Sequence, residues 1–248
     1  MTLNVRSAIS PGDPHAPFIL IHGAANSGAV WKFWQRELAD RGRSSHALDL
    51  RGHGESATMD LSDTRMGDYA ADVITCARQL RRPPVLLGWS MGGLVAMMAA
   101  TSCGAVACIG LAPSTPVRLS DASVPIRSGM FGPEEYGIID RDPERQPMMP
   151  DLDREERLIA LESLAMESRR ARDERKAGIA LDTVGCPLLV VTSADDSQWP
   201  HARYEGLHLT RTDLEVDGPS HWGLVLNRRV LPDLVSAVVD WVSRTGVR

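Results

Sequence analysis

GWSMGG, residues 88–93, lies between two apolar runs, PPVLL before it and LVAMMAA after it. The first run has the length of a buried strand, and the second suits a buried helix. A tight turn from a strand to a helix leaves no room for side chains beside its central residue, which the flanking glycines satisfy. Ser90 is therefore predicted to be held in a strained, exposed position, with the N–H of Met91 at the helix start beside it.

A serine hydroxyl placed in this way is suited to nucleophilic attack. Its Oγ points toward a substrate, while the N–H of Met91 faces the place where an oxyanion would form. The alternative is a glycine-rich turn that only lets a helix and a strand pack closely. We favour the nucleophile because the turn lies in a chain whose strands and helices alternate.

Strand-like runs alternate with helical patterns on both sides of this turn. The strand-like runs are residues 18–22, 44–50, 84–90, 105–113, 187–193 and 214–218. The helical patterns are residues 29–42, 68–80, 91–103, a stretch from about Trp199, and 229–244. Such alternation predicts an α/β fold with a mostly parallel sheet and helices on both faces.

The alternation is interrupted after Pro113. Residues 114–183 contain no clear strand; prolines and methionines lead into a strongly charged helical pattern at 153–178. We predict a core of residues 1–113 and 184–248, with residues 114–183 inserted as a helical cap over it.

Composition narrows the function classes. The chain has 248 residues and a formal net charge of −5, so it offers no overall basic field for nucleic acid. Its N-terminus lacks a signal-peptide pattern, and no apolar stretch is long enough to span a membrane, so we expect a cytoplasmic protein.

The four cysteines show no CxxC spacing and are expected to be buried free thiols. We expect no metal and no cofactor, and the oligomeric state is not predicted.

A nucleophilic serine needs a base, and the base needs an orienting acid. Of the seven histidines, His221 stands in a late loop, DGPSHWG, directly after a predicted strand, where open α/β sheets build their sites. The alternative for His221 is an ordinary surface-loop residue. For the acid, the loop after residues 187–193 offers Asp195 and Asp196. The order serine, aspartate, histidine is the one expected of this arrangement.

Four motifs resemble the α/β-hydrolase superfamily over essentially the whole chain: HGAANSG (22–28), DLRGHGES (49–56), GWSMGG, and DDSQWP together with PSHWG. The resemblance implies a cap inserted after the family's sixth strand. It selects Asp196 as the acid, because the family's acid lies four residues before a proline, here Pro200. It also implies that the N–H of Ala24 is the second oxyanion donor. The elbow is particularly similar to that of pimeloyl-acyl-carrier-protein methyl ester carboxylesterases.

The resemblance implies a serine hydrolase acting through an acyl-enzyme on Ser90, with a small-to-medium ester or thioester, free or carrier-bound, as substrate. A serine nucleophile excludes the relatives that attack with an aspartate. Two alternatives remain: a carbon–carbon bond hydrolase or perhydrolase with the same triad, or a catalytically quiet relative that binds a small molecule under its cap.

We expect the inserted cap, residues 114–183, to select the substrate. Its apolar residues, with two tryptophans of the core, are candidates for an acyl pocket: Trp89, Met130, Phe131, Met148, Met149 and Trp199. The alternative is that they pack the insertion onto the core. Four arginines are candidates for an anionic carrier: Arg169, Arg170, Arg172 and Arg175. The interspersed acids Glu162, Glu167, Asp173 and Glu174 favour instead a solvated helix face with i to i+4 pairs.

Overall fold

The computed structural model describes residues 2–246 and places most of its strands in one seven-stranded sheet. Two short strands, β6 (Met130–Phe131) and β7 (Glu167–Ser168), form a separate antiparallel pair. In chain order the main sheet contains β1 (Val5–Ala8), β2 (Phe18–Ile21), β3 (Ser45–Leu48), β4 (Val85–Trp89), β5 (Ala107–Leu111), β8 (Leu188–Ser193) and β9 (Thr212–Val216). Its spatial order is β1-β3-β2-β4-β5-β8-β9; β1 is antiparallel to β3, and every other pairing is parallel.

Helices cover both faces of this sheet. They are α1 (Lys32–Asp40), α2 (Met66–Ala77), α3 (Met91–Cys103), α4 (Arg154–Glu162), α5 (Arg169–Ala177), α6 (Gly223–Leu226) and α7 (Leu231–Arg244). Alternate residues of a strand point to opposite faces. Accordingly, Phe18 and Leu20 of β2 pack into the cluster that holds α1 and α7, whereas Ile19 and Ile21 pack into the cluster of α2 and α3. The predicted α/β fold, with helices on both faces of a mostly parallel sheet, is confirmed.

The order of the strands fixes where a site can form. From β2 the chain moves outward to β3 on one side and to β4 on the other, so the sequence order reverses between β2 and β4. In open α/β sheets a crevice forms at such a reversal, outside the carboxyl ends of the strands. The loop that begins at His22 and the turn at Ser90 both start at this edge.

The chain leaves the main sheet after β5 and re-enters it at β8. Between them, the segment of residues 114–183, called the insertion below, holds α4, α5, a 3-10 turn (Pro133–Tyr136) and the β6–β7 pair. Both helices have nine residues, so much of the insertion is irregular rather than helical. The insertion follows β5, the fifth strand counted along this chain, and the expectation that this strand is the family's sixth stays a prediction.

Several elements differ from those predicted. The helix expected from about Trp199 is only a four-residue 3-10 turn, His201–Tyr204, which ends two residues before Gly206. The edge strand β1 was not predicted, because VRSA alternates poorly and is only half-buried. The short helix α6 follows His221 directly and was also missed. In the part of the chain that is described, no helix combines the length and hydropathy that a bilayer crossing requires.

Candidate active site

Ser90 stands at a strained turn between β4 and α3. Its φ is 55° and its ψ is −118°, a conformation that residues with a side chain rarely adopt. A Cβ at Gly88 would lie 2.1 Å from the carbonyl oxygen of Gly92, and one at Gly92 would lie 2.2 Å from that of Ile21. Both glycines are therefore required for the turn to pack against β2, as the sequence predicts.

Neighbouring strand ends hold this turn in place. The N–H of Ser90 donates to the carbonyl of Leu111, the last residue of β5, at 2.9 Å. The carbonyl of Ser90 accepts from the N–H of Ser114 at 2.9 Å, where the insertion begins. The strain is thus offset by contacts made at the carboxyl end of the sheet.

His221 and Asp196 are brought together from the loops after β9 and β8. The Nδ1 of His221 lies 2.7 Å from Oδ2 of Asp196. The second carboxylate oxygen, Oδ1, accepts from the N–H groups of Gln198 and Trp199, each at 3.0 Å. The Asp196 side chain is 2% exposed, so its orientation is fixed on both oxygens.

The surroundings keep Asp196 ionised. Burial by itself would raise the pKa of Asp196, but the hydrogen bond and charge of His221, with the two backbone N–H groups, outweigh it and lower the pKa. Asp195 is exposed and accepts instead from the N–H of Gly218 at 2.7 Å. Of the two adjacent acids, only Asp196 contacts His221.

Two tryptophans fix the imidazole ring of His221. The ring of Trp199 stacks on it at a centroid distance of 6.0 Å, and the ring of Trp89 lies tilted at 5.2 Å. The Nε1 of Trp89 also donates to the carbonyl oxygen of His221 at 3.1 Å. Among residues 2–246, Nε2 of His221 has no hydrogen-bond partner and is free to face a ligand.

The two predicted oxyanion donors belong to two segments that begin at the carboxyl edge of the sheet. Ala24 belongs to the loop after β2, and Met91 is the first residue of α3. Within the described residues neither N–H is hydrogen-bonded. The N–H of Met91, at the start of a helix, carries partial positive charge, which suits it to stabilise a developing oxyanion.

A cavity of about 350 Å³ opens onto Ser90 and is called the Ser90 cavity below. It is lined on the core side by Ala24, Trp89, Ser90, Asp196, Trp199 and His221, and on the insertion side by Tyr136, Ile138, Met148, Leu164 and Arg175, among others. Of the seven histidines, only His221 lines it. The serine and histidine singled out in the sequence thus share one cavity.

Three of the candidate pocket residues lie elsewhere. Met130 is 41% exposed, and its sulfur accepts from the N–H of Leu61, because β6 turns it away from the cavity. Phe131 is buried beneath the guanidinium of Arg172, 4.8 Å from its ring centroid. Met149 is fully buried in the core. Trp89, Trp199 and Met148 do line the Ser90 cavity.

The prediction that Glu167 lies on a solvated helix face is wrong. Glu167 was also not predicted to be a site residue. Its side chain is fully buried in β7 and reaches the loop after β2, where Oε2 accepts from the N–H of Ala25 at 3.1 Å. The hydroxyl of Tyr69 donates to Oε1 at 2.5 Å, and the N–H of Ser168 donates to the same oxygen at 2.7 Å. Asp173 is also buried, with Arg127 donating to both of its oxygens.

Two buried histidines, His22 and His53, lie close to Glu167. Burial opposes ionisation of Glu167, but the adjacent His53, 3.6 Å away, and the Tyr69 hydroxyl outweigh it and lower the pKa of Glu167 to about 2. Burial likewise opposes protonation of His53, but the Glu167 carboxylate raises its pKa. Burial and the charge of His53 lower the pKa of His22 to about 4, so His22 stays neutral and accepts from the N–H of Leu50 at Nε2.

No group of three His, Cys, Asp or Glu side chains within residues 2–246 is arranged to hold a metal ion. The site described above is therefore built from backbone N–H groups, one hydroxyl and one carboxylate–imidazole pair.

Sequence comparison places this chain in a known family. The profile described as the alpha/beta hydrolase family matches residues 18–232, which include every motif named above. The chain belongs to the α/β-hydrolase family. A pimeloyl-acyl-carrier-protein methyl ester esterase from Xanthomonas axonopodis pv. citri (strain 306) is 31% identical over 228 residues, covering 88% of this chain and 79% of the relative.

Solved structures share the α/β-hydrolase fold with this chain. A thermophilic esterase from Thermogutta terrifontis superposes with a TM-score of 0.67 at 19% identity, covering 98% of this chain and 93% of the esterase. A methylesterase from Arabidopsis gives a TM-score of 0.68 at 18% identity, covering 91% and 99%. At these identities the likeness supports the fold alone.

Proposed function

We propose that this α/β hydrolase is a serine esterase that cleaves a small-to-medium carboxylic ester or thioester through an acyl-enzyme on Ser90. The observation that carries the proposal is the arrangement at the Ser90 cavity. A strained serine and an imidazole whose Nδ1 is held by a buried carboxylate line the same cavity, and the imidazole Nε2 is free.

The proposed chemistry begins with Ser90. Its Oγ attacks the carbonyl carbon while Nε2 of His221 takes the hydroxyl proton, and Asp196 stabilises the imidazolium. The N–H groups of Ala24 and Met91 hold the oxyanion of the tetrahedral intermediate. The bond to the leaving alcohol or thiol then breaks, and His221 returns the proton to it. Water attacks the acyl-enzyme by the same route, which releases the acid and restores Ser90.

The insertion is proposed to act as the cap that selects the acyl group. Ile138, Met148 and Leu164 supply apolar wall to the Ser90 cavity, and all three come from the insertion. A cavity of about 350 Å³ is at the lower end of the range for small-molecule sites, which favours a compact acyl group. The Xanthomonas relative is named as an esterase of a carrier-bound methyl ester. We therefore extend the proposal to carrier-bound esters, with the carrier protein outside the cavity.

The test is kcat/KM on p-nitrophenyl esters from acetyl to dodecanoyl, for the wild type and for Ser90→Ala. We expect an optimum at short to medium chains, and a loss of roughly 10⁵–10⁶ in kcat for the variant. A fluorophosphonate probe should label the wild type at Ser90 and leave Ser90→Ala unlabelled. Residual activity near wild type in Ser90→Ala would refute the assignment.

Two other outcomes separate the alternatives. Labelling at Ser90 without turnover of any ester or thioester would indicate a carbon–carbon hydrolase or a perhydrolase. Neither labelling nor turnover, with tight binding of a small molecule, would indicate a catalytically quiet binding protein.

A further inference from the structure

Helix α5 carries four arginines, and three of them are paired with carboxylates. Arg169 contacts one oxygen of Glu135 at 2.5 Å, and Arg172 contacts the other. Arg170 lies 3.3 Å from Asp63 and 3.6 Å from Glu174. The i to i+4 pairing predicted for this helix therefore accounts for Arg170. Arg169 and Arg172 instead pair with Glu135, in the 3-10 turn that follows β6.

Arg175 is the exception on this helix. It lines the Ser90 cavity, and within residues 2–246 no carboxylate oxygen lies within 4.0 Å of its guanidinium nitrogens. Its Nη2 donates to the hydroxyl of Tyr136 at 2.8 Å. Its Nε is buried and has no hydrogen-bond partner in the part of the chain that is described. A buried guanidinium donor left without an acceptor costs free energy, so the arrangement is incomplete as it stands.

Tyr136 is placed to complete a binding site with Arg175. It also lines the Ser90 cavity, and because its oxygen accepts from Arg175, its own O–H proton remains available to donate. Burial raises the pKa of Tyr136, which keeps the hydroxyl protonated. Two donors, one of them charged, therefore face the same cavity from the insertion.

The buried carboxylate of Glu167 does not satisfy Arg175. The charge of Arg175 contributes to lowering the pKa of Glu167, so the two groups interact through space. Both oxygens of Glu167 are nevertheless occupied by Tyr69, Ser168 and Ala25, and His53 balances its charge. Among residues 2–246, Arg175 therefore lies without an ion-pair partner in the wall of a cavity whose lining is partly apolar and partly polar.

We propose that Arg175 and Tyr136 form an anion subsite, and that the preferred substrate is an ester bearing a carboxylate at the end remote from the scissile bond. This proposal rests on the proposed esterase function. Arginine binds planar carboxylates with paired N–H donors. The apolar side chains of Ile138, Met148 and Leu164 in the same wall suit a hydrocarbon chain linking the ester to the carboxylate. A half-ester of an aliphatic dicarboxylic acid meets this description.

The test compares hydrolysis of monomethyl adipate with that of a neutral methyl ester of the same length, followed by proton release at constant pH. The proteins are the wild type, Arg175→Met, Arg175→Lys and Tyr136→Phe. A hydrogen bond to a charged group is worth roughly ten- to a hundredfold in binding. We therefore expect wild type to prefer the half-ester by about tenfold or more in kcat/KM.

Arg175→Met should abolish this preference, mainly by raising KM for the half-ester. Arg175→Lys should keep part of the preference, and Tyr136→Phe should reduce it. Arg169→Met is the matched control, since it lies on the same helix, outside the Ser90 cavity and paired with Glu135; it should behave as wild type. Equal preference in wild type and Arg175→Met would overturn the subsite.

A binding measurement separates failure of the subsite from failure of the esterase proposal. Adipate is titrated calorimetrically into Ser90→Ala and into Ser90→Ala/Arg175→Met, neither of which needs to turn over substrate. Binding that requires Arg175 supports the subsite even if no ester is hydrolysed. No binding to either protein overturns it even if neutral esters are good substrates. Binding of inorganic phosphate but not of adipate would overturn the carboxylate assignment in favour of a phosphorylated substrate.

Discussion

Two carboxylate–histidine pairs lie within residues 2–246, and they differ in their access to solvent. Asp196 and His221 are 2.7 Å apart at the edge of the Ser90 cavity, and the His221 side chain is 14% exposed. Glu167 and His53 are 3.6 Å apart, and both side chains are 0% exposed. The first pair keeps Nε2 of the imidazole available to a ligand, whereas the second is enclosed by protein. A carboxylate and an imidazole are thus suited to proton transfer at Asp196 and His221. At Glu167 and His53 the same groups are suited to holding the loop after β2.

The same substitution at the two histidines should give opposite phenotypes. His221→Gln should lower kcat by roughly 10⁵–10⁶ because the base is lost, with little change in unfolding free energy. His53→Gln should lower the free energy of unfolding by about 3 kcal/mol, because it leaves the buried Glu167 carboxylate without its partner. Ester hydrolysis and urea unfolding on both variants check this. A large loss of kcat in both, with equal stability, would remove the distinction between the pairs.

The adjacent acids Asp195 and Asp196 sharpen the comparison at the Asp196–His221 pair. Asp196→Asn should lower kcat by roughly 10⁴, since an amide in this position favours the wrong imidazole tautomer. Asp195→Asn should change kcat by less than about tenfold, because Asp195 contacts the N–H of Gly218 and not His221. Steady-state kinetics on the two variants decide it. If Asp195→Asn has the larger effect, the acid has been assigned to the wrong residue.

Glu167→Gln tests whether the buried pair affects the rate at all. Glutamine keeps one acceptor oxygen but replaces the other by an NH₂ donor, so it cannot accept both from Ala25 and from Tyr69 with Ser168. A weakened contact to Ala25 should loosen the loop that carries the N–H of Ala24, so we expect kcat to fall by about tenfold, less than the roughly 10²–10³ of losing an oxyanion donor. The unfolding free energy should fall by about 3 kcal/mol. Glu162→Gln, on the exposed side of α4, should change neither. An unchanged kcat in Glu167→Gln would mean that the buried pair serves stability alone.

The pH dependence of stability should distinguish the buried pair in the wild type. The pKa of Glu167 falls from 4.5 when unfolded to about 2 when folded, so its contribution is present above pH 4.5 and is lost as the pH falls toward 2. His22, with a pKa of about 4 when folded and 6.5 when unfolded, also destabilises the fold as the pH falls from 6.5 toward 4. His53, whose pKa is raised, contributes below pH 6.5 and loses that contribution as the pH rises.

The measurement is Tm against pH for the wild type and Glu167→Gln. The difference between the two proteins should shrink as the pH falls from 4.5 toward 2, because only the wild type loses the ionised Glu167 over that range. A difference that stays constant over that range would show that Glu167 is not the group that titrates.

The two pairs also differ in how far the sequence predicts them. Ser90 and Asp196 follow β4 and β8, whose apolar runs are clear, and His221 follows the less apolar β9. Parallel strands bring such loops to one edge. Glu167 and Arg175 lie in a run dense with charge, where each local pattern favours a solvated helix. Their burial depends on how the insertion folds back onto the core, which is a tertiary property. One local signal was available: Ser168 caps α5 by accepting from the N–H of Ala171 at 3.1 Å, which separates Glu167 from that helix.

The bond from Ala25 to Glu167 joins residues 142 positions apart in the chain, one in the core and one in the insertion. Protein engineers alter the selectivity of capped enzymes by grafting a foreign cap onto a retained core. Here such a graft would discard the acceptor for Ala25 and the partner of His53 along with the substrate wall. A chimera would therefore need a buried glutamate restored at the equivalent place before its turnover could be compared with that of the parent.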